Sequence, residues 1–135
     1  RRIDMGVEPF LICSTLEAII AQRLVRKICA QCKAEFKPDA AMLATVNLKP
    51  EDVRGKTLYY GKGCAHCNHT GYRGRVGIFE LLTLSDPLRN LILQKAPSVA
   101  LRAKALDLGM RPLREDGLEK IYDGVTTLEE VARET

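Results

Sequence analysis

The chain contains no tryptophan, and phenylalanine and tyrosine bring the aromatic content to only 5%. Bases stack on aromatic faces, so a stacking platform for single-stranded nucleic acid is poorly supplied. Unbroken apolar runs extend for a few residues, far short of the roughly 20 that span a bilayer, which excludes a transmembrane helix. Neither sign of charge dominates. Twenty-one Lys and Arg against seventeen Asp and Glu leave +4, too mild to indicate a nucleic-acid partner by itself. The start, Arg1-Arg2-Ile3-Asp4-Met5, has neither an apolar signal region nor an initiator methionine, and reads as a piece of a longer protein. What is present is ordinary soluble protein: 135 residues, 46% hydrophobic and 28% charged, sufficient for one domain or two small ones with a real core. That composition excludes a disordered or collagen-like chain.

The cysteines carry the most information. Four of the five form two matched pairs, Cys29-Ala-Gln-Cys32 and Cys64-Ala-His-Cys67, separated by 31 residues. A C-x-x-C knuckle puts two thiolates on one tight turn, and two knuckles complete a tetrahedral set for zinc. Two disulfides would need an oxidising compartment, which an odd cysteine and the absence of a signal peptide argue against. A thioredoxin-like site uses one C-x-x-C and leaves the second unexplained. Iron in a rubredoxin-like site takes the same ligands, and spacing does not separate it from zinc. Cys13 reads as a small buried hydrophobe on a helix face. His66 within the second knuckle and His69 just after it could each replace a cysteine as ligand, but with four thiolates already supplied they read as solvent-facing loop residues. Around the first knuckle, Arg23, Arg26, Lys27, Lys33 and Lys37 outnumber Glu35. Their structural reading is that cations offset the charge of a four-thiolate centre. Their alternative reading is a zinc-ribbon module that binds nucleic-acid phosphates.

The pattern predicts a helix over 9–22 on Ile12, Leu16, Ile19 and Ile20, then a strand over 23–28 leading into Cys29. A short helix capped by Pro38-Asp39 runs to about Val46, and a strand covers 57–60. The insert between the knuckles has little apolar mass, chiefly Phe36, Met42, Leu43, Val46, Leu48, Val53 and Leu58, so it needs a metal staple. Gly71 to Gly74 reads as a turn and 75–82 as a strand, where Gly77 permits a close neighbour. Helices then start at Ser85, Ser98 and Pro112, ending near Lys95, Gly109 and Gly124. Thr127-Leu-Glu-Glu130 is a capping box for a last helix.

No active site is complete. Gly55-Lys56-Thr57 resembles the end of a phosphate-binding loop, but Pro50 stands where the required glycine belongs. Asp86, Glu115 and Asp116 lie at helix starts, where carboxylates favour the dipole.

Several stretches resemble the C-terminal end of the bacterial type II secretion and type IV pilus assembly ATPases. They are Met5-Gly-Val-Glu-Pro-Phe-Leu11, Ala21-Gln-Arg-Leu-Val-Arg-Lys-Ile-Cys29 with Cys32, Gly63 through Leu81, and Asp116-Gly-Leu-Glu-Lys120 through Val131. The four cysteines joined to Gly-Tyr-Arg-Gly-Arg mark the assembly and export branch. The resemblance implies an α/β remnant of a RecA-like P-loop NTPase domain at 1–28, a four-Cys zinc insert at 29–72, a returning strand of the ATPase domain at 73–84 and an all-α tail at 85–135. It implies zinc on Cys29, Cys32, Cys64 and Cys67, with no catalytic residue in this stretch; ATP and Mg2+ belong to the parent. The parent is implied to be a cytoplasmic hexamer peripheral to the inner membrane. Its partners would be neighbouring subunits and the secretion or pilus platform proteins, without nucleic acid and without direct membrane insertion. Arg23 reads as a surface or interface arginine, with a place bordering the nucleotide pocket of the whole enzyme as the alternative.

Overall fold

The computed structural model describes residues 17–135. Strand β1 spans Ala18–Ile28 and is a sheet neighbour of β4, Tyr72–Thr83. The helix expected over 9–22 is corrected where it can be seen: residues 18–22 are extended and continue without a break into 23–28. Ile19 and Ile20 suit a strand as β-branched residues, and a short apolar run does not distinguish the two periods. The remainder of that helix, Cys13 and the Met5 motif lie outside the described residues.

Strand β2, Lys33–Phe36, pairs antiparallel with β3, Leu58–Gly61, in the register Lys33↔Gly61 through Phe36↔Leu58. Between them lie helix α1, Ala40–Ala44, and a 3-10 turn at Pro50–Val53. Asp39 caps α1 by accepting the Met42 amide at 2.8 Å. The expected turn at 71–74 is corrected as well. The strand begins at Tyr72, and Gly71 and Gly74 keep positive φ of 84° and 82° at its edge and inside it. After β4 come α2 (Asp86–Leu93), α3 (Ser98–Asp107), α4 (Leu113–Tyr122) and α5 (Leu128–Glu134), close to their expected limits.

These elements fall into two compact units. Among the described residues, one contains 17–21 and 80–112, and its small core joins Leu84 and Ile92 with Leu82 and Leu101. The other contains 22–79 and 113–135. The helical stretch 85–135 is thus divided between them, α2 and α3 in the first, α4 and α5 in the second.

The second unit corrects the expectation of an insert short of core. Phe36, Leu43, Val46, Leu48, Val53 and Leu58 pack in one cluster with Leu118, Ile121, Tyr122, Leu128, Val131 and Ala132 of α4 and α5. Met42 is the exception, with a third of its surface exposed. The missing apolar mass comes from the distant end of the chain, which local composition does not display. Gly117 lets α4 lie against α5: a Cβ there would stand 2.7 Å from Val131 Cγ1 and 3.5 Å from Ile78 Cδ1.

Candidate metal centre

The end of β1 delivers Cys29, and a turn returns the chain through Cys32 into β2. Strand β3 leads through Gly61 and Gly63 to Cys64, and a 3-10 turn, Ala65–Cys67, closes the second knuckle. Asn68 and His69 both take left-handed backbone conformations, φ 54° and 62°, which folds the loop back so that the His69 amide donates to Cys64 O at 2.8 Å. The two knuckles meet through glycines. The Cys29 amide donates to Gly71 O at 2.9 Å, Lys62 N to Cys32 O at 3.1 Å, and a Cβ on Gly61 would overlap the Gly71 carbonyl.

This brings together all four predicted ligands. Their sulfurs lie within 4.8 Å of one another. Measured pairs are 3.8 Å for Cys29–Cys64, 3.9 Å for Cys32–Cys67 and 3.7 Å for Cys64–Cys67. A tetrahedron with Zn–S bonds of about 2.3 Å has edges of about 3.8 Å, which these three pairs match. None of the four is in a disulfide. Cys29 and Cys67 are buried, Cys32 and Cys64 half-buried.

Backbone amides donate to two of the sulfurs. Gly63 N donates to Cys32 Sγ at 3.3 Å, Cys64 N to Cys67 Sγ at 3.3 Å and Gly71 N to Cys67 Sγ at 3.2 Å. Burial pushes the Cys67 thiol up, but its two amide donors and the neighbouring sulfurs outweigh that and bring it to about 6. Cys32, with one amide donor, is pushed up by burial to about 11. The amides thus favour the thiolate at Cys67, whereas burial prevails at Cys32. Arg26 is committed elsewhere, to Glu130 and to the face of Tyr72, and Lys33 lies 4.4 Å over the Tyr59 ring. Lys56 of the apparent phosphate loop lies 4.0 Å over Tyr122. His66 and His69 are exposed, and the His66 carbonyl accepts from Arg73 at 3.0 Å. Arg23 is exposed on β1.

Sequence reasoning missed a buried polar group beside the first knuckle. Glu130 is 1% exposed, and its carboxylate accepts the Arg26 amide at 2.8 Å, Arg26 Nε at 3.0 Å and Arg26 Nη2 at 2.8 Å, with Arg133 also bonded. This corrects the capping box. Thr127 Oγ1 accepts the Glu130 amide at 3.1 Å, but the carboxylate turns to Arg26 rather than back to the cap. The available signal was an arginine three residues before a metal-type cysteine and a glutamate inside an apolar helix start.

Comparison with known proteins accords with this geometry. A family model described as type II/IV secretion system protein matches residues 1–133. The type IV pilus assembly ATPase PilB of Thermus thermophilus is 45% identical over 132 residues, covering 98% of this chain and 15% of the relative. The type II secretion system ATPase E of Vibrio cholerae is 44% identical over 132 residues, covering 98% and 26%. PilB of Myxococcus xanthus is 42% identical over 136 residues, covering 100% and 24%. The chain thus spans between 15% and 26% of the length of these relatives. With the family model matching nearly every residue, this mixed α/β chain with its four clustered cysteines belongs to the type II/IV secretion system protein family.

Proposed function

We propose that this chain is the zinc-bearing part of an ATP-driven motor for type II secretion or type IV pilus assembly. The observation that carries the reading is the set of four sulfurs at zinc-like spacing in a chain of this family. Zinc, when bound, supplies a structural crosslink between the two knuckles rather than a catalytic centre, because four thiolates leave no open coordination position. Nucleotide hydrolysis belongs to parts of the parent motor outside this chain, a RecA-like domain with ATP and Mg2+, to which residues 1–28 and 73–84 contribute. The parent works as a cytoplasmic hexamer against neighbouring subunits and inner-membrane platform proteins. No described helix is long and apolar enough to cross a membrane.

The role of the metal follows from where the knuckles sit. Cys29 and Cys32 lie between β1 and β2, Cys64 and Cys67 between β3 and β4. A crosslink between them fixes both ends of the insert, while the shared apolar core fixes its body to α4 and α5. The insert and the last two helices then move as one body, able to transmit a rotation of the motor to a neighbour. Cys64→Ser and Cys67→Ser in the whole ATPase test this. Loss of secretion or piliation with ATP hydrolysis retained supports transmission, and normal export would sink it.

A further inference from the structure

Among the described residues, polar burial is concentrated in one segment. The buried polar residues among those described are Thr126, Thr127 and Glu130. Each makes its bond to the root of a knuckle. Thr126 Oγ1 donates to Arg26 O at 2.7 Å, and the neighbouring Val125 carbonyl accepts the Ile28 amide at 2.9 Å, one residue before Cys29. Glu130 takes the Arg26 amide and guanidinium. On the other knuckle, Thr127 Oγ1 and Tyr72 Oη share a hydrogen bond of 2.7 Å. Tyr72 directly follows Gly71, whose amide donates to Cys67 Sγ and whose carbonyl accepts from Cys29. The Arg26 guanidinium, 4.1 Å over the Tyr72 ring, joins the two sides.

We propose that the segment 125–130, anchored by Glu130, is a strut that sets the spacing of the two C-x-x-C knuckles, making Glu130 a positioning residue for the metal centre although it touches no sulfur. A buried carboxylate with one oxygen on Nε and Nη2 of Arg26 and the other on the Arg26 amide has one favourable geometry, and removing its charge weakens all three charge-assisted bonds. The strut therefore holds Arg26 and Ile28 fixed, and with them the position of Cys29 relative to Gly71 and Cys67. Residues outside a metal's ligand set that orient the ligands govern how tightly it is retained. In its metal readout this inference rests on the zinc reading above; its backbone readout does not.

The experiment uses the full 135-residue chain and its Glu130→Gln variant, each measured at an equal distance below its own melting temperature. Leu43→Ala, in the apolar core, serves as a control of comparable or greater destabilisation. Zinc extraction by a chelator and amide exchange at Ile28 and Cys29 are followed. Glu130→Gln is expected to lose zinc about tenfold faster and to exchange faster at both amides, while Leu43→Ala releases zinc at the parent rate. Unchanged exchange or unchanged zinc release in Glu130→Gln would overturn the strut, as would equal acceleration by Leu43→Ala. If Glu130→Gln does not fold, Thr127→Val, which cuts the Tyr72 link, takes its place, with Thr127→Ser expected to restore parent behaviour. A parent chain that binds no zinc defeats the metal reading, and exchange at Ile28 and Cys29 then decides the strut alone.

Discussion

At the scale of single residues, two contacts decide how the site holds. Gly61 and Gly71 abut backbone to backbone, leaving no room for a side chain at either position. Gly61→Ala is therefore expected to destabilise the unit by about 1–3 kcal/mol, the usual cost of overpacking, and to lower zinc content, read by thermal unfolding and metal analysis. Unaltered melting and stoichiometry would contradict the contact. Glu130 makes a pH prediction. Burial pushes its carboxyl up, but the side-chain and amide hydrogen bonds of Arg26 outweigh that and hold it below the ordinary value. Arg133, Glu129 and Tyr72 are the other ionisable groups of this network. A lowered carboxyl stabilises the fold above its unfolded value of about 4.3, and the gain is lost as pH falls through the lower folded value. The parent should thus lose melting temperature more steeply than Glu130→Gln as pH falls below that unfolded value. Parallel curves would show that the carboxylate is not ionised in the fold.

At the scale of elements, the insert and the last helices are one packing unit. Leu43, 1% exposed in α1, touches the cluster that also holds Ile121 and Val131. Leu43→Ala should cost about 2–5 kcal/mol and lower the melting of α4, α5 and the insert together, as one transition at a shared temperature. Loss confined to the insert would mean separate units. Most of this level was legible in the sequence where local chemistry decides it. Asp39, Ser98 and Thr127 mark helix starts, Gly109 and Gly124 mark ends with φ of 96° and 74°, and the cysteine spacing marks the knuckles. Partnership over long separations was not legible. Nothing near Phe36 or Leu58 says that Ile121 and Val131 cover them, so the insert looked poorer in core than it is. Likewise Gly71 and Gly74 signalled a left-handed backbone but not that it lies at the head of a strand. Ile19 and Ile20 fitted a helical stripe as well as a strand until β4 supplied the neighbour.

At the scale of the whole molecule, a chain of the type II/IV secretion system protein family carries four cysteines placed together where they could hold a metal. Family membership follows from a match over residues 1–133, and three sulfur pairs at 3.7–3.9 Å give the proposed crosslink its geometry. In the parent motor, disrupting the second knuckle should uncouple ATP hydrolysis from export rather than abolish hydrolysis. All of this depends on a metal being held by the cysteines, which makes metal stoichiometry the most direct test. Elemental analysis of the reduced, freshly purified chain should find one zinc per molecule, and far less in Cys67→Ser. Zinc-free protein, or Cys67→Ser with its full complement of zinc, would contradict the account.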